Sequence, residues 1–337
     1  MARHIYRHPE AFALSGGGVI KNLEICYDTY GTLSPEGDNV VWVCHALTAD
    51  SAVDDWWPHT VEAGAFLDPD RYFTVCANVI GSCYGTTGPL HINPATGRPW
   101  YGIFPAVSIA DMARAHELLA DALGIKRIRA LVGSSVGGFQ AIEWAVQHPL
   151  RFDSLVLIAT APVATPWAIA IDETQRMAIR ADATFGTDSP DAGAAGLEAA
   201  RALGLLTYRG PAGYNLTQQD HHDSTEHRAC TYQRHQGAKL RKRFNAYSYV
   251  SLLDAFDTHD IGRGRGGMQQ ALSTLTMPVL TVGISTDLVF LPDEVRAIAE
   301  GTPAGRYAQI DSPFGHDGFL VEHRQLNDII KPFIDNL

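Results

Sequence analysis

Short apolar runs alternate with amphipathic segments along the first half of the chain. Residues 39–44, 72–77 and 154–159 are continuous apolar runs of strand length. Such runs are typical of parallel strands that are buried on both faces of a sheet. Between them, residues 109–123 carry apolar side chains on one side of a helix, and Ser108 fits the position that caps its start. This alternation predicts an α/β fold in which helices flank a mostly parallel central sheet.

The pattern changes in the middle of the chain. Strand signals vanish over residues 163–267, which are rich in alanine, glutamine, arginine and histidine. Apolar runs that fit strands return at residues 278–283 and 306–310. We therefore predict a core domain formed by residues 1–162 and 268–337, interrupted by a helical lid at residues 163–267. Open α/β sheets bind ligands beyond the carboxyl ends of their strands, so a lid there would cover the site.

Composition narrows the class of protein. Hydrophobic residues make up 46% of the 337 residues, and the formal net charge is −11. This acidic balance argues against a nucleic-acid partner, and no apolar run reaches the roughly 18 residues of a membrane span. The short basic cluster at residues 239–243 is interpreted as a solvated helix face that could still meet an anionic ligand. Five scattered cysteines without a C-x-x-C pair favour reduced thiols, a cytoplasmic location and no metal site.

The most specific chemical signal surrounds Ser135. The sequence Gly133-x-Ser135-x-Gly137 matches the G-x-S-x-G nucleophile elbow, in which a serine sits on a tight turn between a strand and a helix. Residues 128–132 fit the strand, and residues 139–146 fit the helix. The glycines would let these two elements approach closely. The pentapeptide alone would fit any strand-to-helix turn, but with these flanks it favours a catalytic serine.

A serine hydroxyl needs a base, and the base needs an orienting carboxylate. In the α/β-hydrolase topology the carboxylate and then the histidine follow the serine along the chain. Asp287 and His316 fit this order, and each comes just after a predicted strand. Asp311 is an alternative orienter, but it lies at the exit of the strand that leads to His316. Loop placement therefore favours Asp287.

An oxyanion formed during acyl transfer requires two backbone N–H donors. One would come from Val136, the residue after the nucleophile, and the other from the loop after an early strand. Leu47 lies in such a loop, directly after the apolar run at residues 39–44. Val136 and Leu47 are therefore the predicted donors.

Several motifs taken together resemble the homoserine O-acetyltransferase family. They occur in the family's order and at fitting separations over most of the chain, which makes them far more specific than the elbow alone. The matching segments are His45-Ala46-Leu47-Thr48, Gly85-Thr86-Thr87-Gly88-Pro89, Ile92-Asn93-Pro94-Ala95-Thr96-Gly97, residues 133–138, Leu206-Thr207-Tyr208-Arg209 and Gly315-His316-Asp317-Gly318-Phe319-Leu320.

The resemblance implies an α/β-hydrolase fold with a helical lid, through which members of the family often dimerise. It implies transfer of acetyl from acetyl-CoA, as co-substrate and without another cofactor, to the hydroxyl of L-homoserine in methionine biosynthesis. The catalytic triad would be Ser135, Asp287 and His316. The family's substrate-binding arginine falls on Arg209, and its substrate-binding aspartate falls on Asp317.

The chemistry of an amino-acid substrate agrees with these last two positions. Arg209 could hold a carboxylate through a forked pair of hydrogen bonds, and Asp317 could hold an ammonium. A structural ion pair is the alternative reading of both. Tyr208 could support the substrate site or could simply pack in the core.

Other activities of the same site stay open at this level. A ping-pong reaction through an acyl-serine could also use succinyl-CoA as the donor or serine as the acceptor. With water as the acceptor, the protein would be a carboxylic ester hydrolase. Val136 stands where the family usually has methionine, which bears on the preferred acyl group. Some proteins of this fold bind ligands without catalysis after losing the triad, but all three triad residue types are present here.

Overall fold

The computed structural model describes residues 1–222 and 225–337. The strands are β1 Ala2–Arg7, β2 Phe12–Ala13, β3 Val19–Ile20, β4 Glu24–Tyr30, β5 Val40–Cys44, β6 Phe73–Ala77, β7 Ile92–Asn93, β8 Arg98–Pro99, β9 Ala130–Ser134, β10 Leu155–Ile158, β11 Val279–Ile284 and β12 Gly305–Ile310. The helices are α1 Val53–Trp56, α2 Ile109–Ala122, α3 Val136–Gln147, α4 Pro166–Arg180, α5 Ala194–Tyr208, α6 Pro211–Thr217, α7 Arg228–Arg241, α8 Ala246–Asp257, α9 Met268–Ser273, α10 Pro292–Gly301, α11 Gly318–Val321 and α12 His323–Asp335. Short 3-10 turns lie at Tyr101–Ile103 and Gly315–Asp317.

Eight strands form one sheet in the order β1-β4-β6-β5-β9-β10-β11-β12. All neighbouring pairs from β6 to β12 in this order are parallel. Strand β4 is antiparallel to both β1 and β6 at one edge. The mostly parallel sheet predicted from the apolar runs is confirmed, and the antiparallel edge was not foreseen.

Each central strand contributes side chains to both faces of the sheet. Trp42 of β5 belongs to the hydrophobic cluster on one face, whereas Val41 and Val43 belong to the cluster on the other. Helices α2 and α3 cover the first face. Helix α12 covers the second with Leu326 and Ile330, which are one helical turn apart. Burial on both faces explains why these strands appear in the sequence as unbroken apolar runs.

Helices α4 to α8 form an insertion between strand β10 and helix α9. The described part of residues 163–267 contains no strand, and an isolated bridge between Val163 and Asp260 joins the two ends of the insertion. Thr165 caps α4 by accepting a hydrogen bond from the N–H of Ala168, and Asn245 caps α8 in the same way. Side chains from α4, α5, α7 and α8 line the same cavity as the serine after β9, so the insertion lies over the strand ends. In the part of the chain described, no helix has both the length and the apolarity to cross a membrane.

Candidate active site

Ser135 occupies a sharp turn between β9 and α3. Its backbone has φ 56° and ψ −130°, a conformation that costs a non-glycine residue on the order of 1–3 kcal/mol. The Ser135 N–H donates to the carbonyl of Ile158 over 2.9 Å, and this bond to the neighbouring strand helps to hold the turn. Helix α3 begins at the next residue, so the serine lies at the positive end of the helix dipole.

Two glycines make this turn possible. A Cβ atom on Gly133 would lie 2.3 Å from the carbonyl oxygen of Gly137. A Cβ atom on Gly137 would lie 2.1 Å from the carbonyl oxygen of Cys44. Both partners are backbone atoms that cannot rotate away. The predicted close approach of strand and helix is confirmed at Gly133, whereas the crowding at Gly137 comes from the end of β5.

His316 connects Ser135 to Asp287. Its Nε2 lies 2.8 Å from Ser135 Oγ, and its Nδ1 lies 2.8 Å from Asp287 Oδ2. The other carboxylate oxygen of Asp287 accepts hydrogen bonds from the backbone N–H groups of Val289 and Phe290, at 2.7 and 3.1 Å. Because Asp287 is held on both oxygens, it fixes the orientation of the histidine ring, as a serine nucleophile with a general base requires.

Asp311, the alternative orienter, lies elsewhere. It is exposed, and its backbone N–H and carbonyl pair with the side-chain amide of Gln325 at 3.0 and 2.8 Å. Its position at the exit of β12 therefore ties the strand end to α12. Of the two candidate carboxylates, the structure places only Asp287 within hydrogen-bond distance of His316.

The charge balance around His316 raises its pKa. Burial favours the neutral ring and lowers the pKa, but the negative charge and hydrogen bond of Asp287, with a smaller contribution from Asp317, outweigh it. Only the neutral ring can accept a proton at Nε2. We therefore expect the acylation rate to fall toward acid pH with a midpoint above the usual histidine value of about 6.5.

The measurement is the rate of acylation of Ser135, followed by stopped flow between pH 5 and pH 9 and analysed as the apparent second-order rate constant at each pH. This constant reports on the free enzyme. An acid limb centred at or below the usual histidine value would contradict the raised pKa of His316.

The two predicted oxyanion donors face the same cavity. Leu47 and Val136 both line it, and neither backbone N–H has a hydrogen-bond acceptor in the described residues. Gln140 on α3 joins the two segments, since its Nε2 lies 3.2 Å from the His45 carbonyl and 3.3 Å from the Val136 carbonyl. Stabilisation of a transient oxyanion requires N–H donors that are free of other acceptors and are held on a rigid backbone.

The cavity over Ser135 has a volume of about 570 Å³ and combines apolar walls with charged groups. Apolar walls come from residues such as Trp56, Phe139 and Phe290. The insertion supplies most of the charged lining, namely Asp172, Arg201, Lys239, Arg243 and Asp257. No group of three or more potential metal ligands occurs within the described residues.

The basic cluster at residues 239–243 is divided by the fold. Lys239 and Arg243 line the cavity, whereas Arg241 pairs with Glu198. Arg243 donates hydrogen bonds to the Thr48 carbonyl and the Tyr84 hydroxyl. Arg243 thereby connects the insertion to the loop that carries Leu47. The basic cluster is therefore only partly a solvated helix face, because Lys239 and Arg243 face the cavity.

Asp317 lines the cavity next to His316, and Arg209 holds it. Arg209 Nε lies 3.0 Å from Asp317 Oδ2. Burial raises the pKa of Asp317, and the positive charges of Arg201, Arg209 and His316 oppose this. Arg209 itself is not among the residues that line the cavity. The structure thus brings together the pair predicted for substrate binding, with Asp317 as the member exposed to the cavity.

Tyr208 lies close to His316. Its ring centroid is 6.1 Å from that of His316, and the residue lines the cavity. Burial raises the pKa of Tyr208 to about 12, so the hydroxyl stays protonated near neutral pH. Tyr208 thus lines the cavity and also packs against the hydrophobic core, so the structure combines the two alternatives that the sequence left open.

Comparisons with known proteins agree with this geometry. A family model described as alpha/beta hydrolase fold matches residues 39–323. A curated homoserine O-acetyltransferase from Cyclobacterium marinum is 42% identical over 334 residues, which cover 99% of this chain and 95% of the relative. The crystal structure of a homoserine O-acetyltransferase from Staphylococcus aureus has a TM-score of 0.83 at 30% identity, over 99% of this chain and 95% of the other. An acetylester hydrolase from Corynebacterium glutamicum has a TM-score of 0.88 at 22% identity, over 99% and 96% of the two chains, and shares the fold.

Proposed function

Because this chain belongs to the homoserine O-acetyltransferase family, we propose that it transfers the acetyl group of acetyl-CoA to the hydroxyl of L-homoserine. The observation that carries the proposal is the pair of 2.8 Å contacts that link Ser135 through His316 to Asp287. This arrangement activates a serine for acyl transfer. The proposed reaction is ping-pong, with an acetyl-serine intermediate.

In the first half-reaction, Ser135 Oγ attacks the thioester carbonyl carbon while its proton moves to His316 Nε2. The carbonyl oxygen becomes an oxyanion and accepts hydrogen bonds from the N–H groups of Leu47 and Val136. Collapse of this intermediate breaks the carbon–sulfur bond. The proton on His316 passes to the leaving sulfur, so CoA departs as a thiol and Ser135 carries the acetyl group.

In the second half-reaction, the homoserine hydroxyl gives its proton to His316 and its oxygen attacks the acetyl carbon. The same N–H groups stabilise the second oxyanion, and Ser135 recovers its proton as the ester product leaves. Water would otherwise complete the same step as hydrolysis. We assign residues 163–267 the role of a lid that limits water at the acetyl-serine, supported by the side chains that these helices place over the cavity.

The acceptor is an amino acid with opposite charges on adjacent groups. Asp317 presents a carboxylate to the cavity for the ammonium. Arg209 is hydrogen-bonded to Asp317 but does not line the cavity itself, and we propose that it holds the substrate carboxylate with the guanidinium nitrogens that Asp317 leaves free. Tyr208 lines the cavity with its ring centroid 6.1 Å from that of His316. These positions would place the homoserine hydroxyl, two carbons from the charged end, toward the acetyl-serine.

The decisive experiment separates transfer from hydrolysis and tests the intermediate. Protein and acetyl-CoA are mixed without acceptor, and we expect a burst of CoA equal in amount to the enzyme. Adding L-homoserine should then give O-acetylhomoserine, identified by mass, in excess of free acetate. Parallel reactions with succinyl-CoA and with L-serine establish donor and acceptor preference. Acetate as the only product would rule out the transferase.

We also propose a homodimer formed through the lid, in a cytoplasmic setting. Five large apolar side chains of the insertion are exposed, namely Trp167, Met177, Leu203, Leu206 and Leu216. Burying such side chains between two copies would be favourable. All five cysteines are free, which fits a reducing compartment. Light scattering should give a mass of two chains, and a monomer at micromolar concentration would contradict the dimer.

A further inference from the structure

His45 is a buried histidine that the proposed mechanism leaves unused. It follows β5 directly, is 1% exposed and is not among the residues that line the cavity. Its ring contacts two backbone groups: Nδ1 lies 2.9 Å from the Ala46 carbonyl oxygen, and Nε2 lies 3.2 Å from the Val79 nitrogen. Any effect of His45 on the reaction must therefore pass through its neighbours.

The two contacts fix the protonation of the His45 ring. A backbone N–H can only donate, so Nε2 accepts from Val79 and the ring proton lies on Nδ1. Nδ1 therefore donates to the Ala46 carbonyl. Burial lowers the pKa of His45 and outweighs the bond to Ala46, which raises it. The ring thus stays neutral near pH 7, and both bonds persist there.

The bond to Ala46 controls the direction of a predicted oxyanion donor. The Ala46 carbonyl and the Leu47 N–H belong to one trans peptide group, which is planar, so they point in opposite directions. The carbonyl accepts from His45 Nδ1 and, over 3.1 Å, from the N–H of Ala49. Both of its lone pairs are used. Holding this oxygen therefore aims the Leu47 N–H, which has no acceptor within the described residues.

The second donor is aimed by a similar bond. The Val136 N–H shares a peptide group with the Ser135 carbonyl, which accepts from the Gly138 N–H over 2.9 Å. This bond is part of the first turn of α3. Leu47 lies in a loop between β5 and α1, where no helix supplies such support. The His45 side chain provides it instead.

His45 is itself anchored on two sides. Its ring is held from the segment after β6 by Val79, and its carbonyl accepts from Gln140 Nε2 on α3 over 3.2 Å. Gln140 Oε1 in turn lies 3.1 Å from Nε2 of His116 on α2. These buried contacts make Nδ1 of His45 a fixed point against which the Ala46–Leu47 peptide is aligned.

We propose that His45 is a positioning residue of the oxyanion hole, which holds the Ala46 carbonyl and thereby aims the N–H of Leu47 at the developing oxyanion. The inference rests on the proposed function, because it concerns the two oxyanions of the acyl-serine reaction. Both half-reactions use the same N–H groups, so both depend on the donor at Nδ1 of His45. Binding of acetyl-CoA and homoserine does not.

Two variants separate the two ring bonds. The amide nitrogen in His45→Asn is as many bonds from Cβ as Nδ1, so it can still donate to the Ala46 carbonyl. The amide in His45→Gln reaches the position of Nε2 instead, and the Ala46 carbonyl loses its side-chain donor. We expect His45→Gln to lower the rates of acylation and of transfer to homoserine each by roughly 100-fold, with little change in KM, because a misplaced donor has a cost of this order. His45→Asn should recover most of both rates.

The infrared band of the acetyl-serine carbonyl reads out the donors directly. Hydrogen bonds to a carbonyl oxygen lower its stretching frequency, and an isotopic label on the acetyl group of acetyl-CoA identifies the band. We expect the band of His45→Gln at higher frequency than that of wild type, and the band of His45→Asn close to wild type. The matched control is His259→Gln, the same change at another buried histidine, whose Nε2 lies 3.3 Å from the carbonyl oxygen of Ala161, outside both oxyanion segments. A purely structural effect would lower Tm and leave the band in place, as expected for His259→Gln.

An unmoved band in His45→Gln, or equal loss of rate in His45→Gln and His45→Asn, would overturn the role of His45. If His45→Gln does not fold, as judged by circular dichroism, nitrogen NMR of the His45 ring in the wild type decides. A proton on Nδ1 at neutral pH supports the proposal, and a proton on Nε2 overturns it. A wild type whose acetyl-serine yields only acetate would refute the transferase, whereas the comparison of carbonyl bands would still decide the role of His45.

Discussion

Ser135→Ala is expected to lower acetyl transfer by roughly 10⁵-fold or more, because it removes the atom that carries the acetyl group. The rest of the site should persist: the oxyanion donors are backbone groups, and His316 is still held by Asp287 at 2.8 Å. The variant should bind acetyl-CoA without a burst of CoA. Mass spectrometry of the intact protein after mixing with acetyl-CoA provides the direct check, since only the wild type should gain an acetyl group.

Ser134→Ala is the matched control for this variant. Ser134 is the adjacent residue and is fully buried at the end of β9, and its hydroxyl has no hydrogen-bond partner among the described residues. Removing an unpaired buried hydroxyl costs little, so activity within about twofold of wild type is expected. Acyl turnover that survives in Ser135→Ala but is lost in Ser134→Ala would show that the nucleophile has been misassigned.

Asp287→Asn should lower kcat by roughly 10⁴-fold while leaving the fold intact. The amide is nearly isosteric, but it takes away the negative charge that favours the imidazolium formed in the transition state. An amide can also donate to Nδ1, which would stabilise the tautomer with its proton on Nε2 and block proton abstraction from Ser135. Single-turnover CoA release measures the loss in the chemical step.

The same variant tests the electrostatic account of His316. Without the Asp287 charge, burial dominates, so any residual activity should have its acid limb at lower pH than wild type. Asp311→Asn is the matched control, since Asp311 is an exposed aspartate at the exit of the strand that precedes His316. It should be nearly as active as wild type. A loss in Asp311→Asn as large as that in Asp287→Asn would contradict the assignment of the orienter.

The three proposed catalytic residues could be predicted because each follows a strand that apolar residues mark in the sequence. Strands β9, β11 and β12 are parallel, so their carboxyl ends meet at one edge of the sheet. A residue placed just beyond such a strand therefore approaches the others even when the chain separation is large. Asp287 and His316 were found through this topology together with the known order of the triad along the chain.

The edge of the sheet was harder to predict. Strand β1 has mostly exposed side chains, so it lacks the apolar run that marks a buried strand. It pairs with β4 over six residues, and Arg3 forms an ion pair with the buried Asp28 of that strand. Strand β4 is distant from β1 in sequence, so the local pattern of residues in β1 does not predict this pairing.

Arg201 and Asp172 were also missed, for a different reason. Both lie on helices whose polar faces look like ordinary solvated surfaces in the sequence. Their place in the cavity lining depends on how α4 and α5 pack against each other, which the pattern of either helix alone does not specify. The only available signal was the seven-residue spacing between Arg201 and Tyr208, and such spacings are common on helices.

The chain separation of the triad has a consequence for how activity arises during synthesis and folding. His316 and Ser135 are 181 residues apart, and the whole helical insertion lies between them. A polypeptide emerging from the ribosome can therefore complete its elbow long before it has a base, and an early fragment cannot cleave acetyl-CoA. Contacts between distant residues generally form late and slowly. Enzymatic turnover is thus a reporter of finished assembly, and in a refolding experiment it should recover after the fluorescence of Trp42 and Trp144, which are packed within the earlier part of the chain.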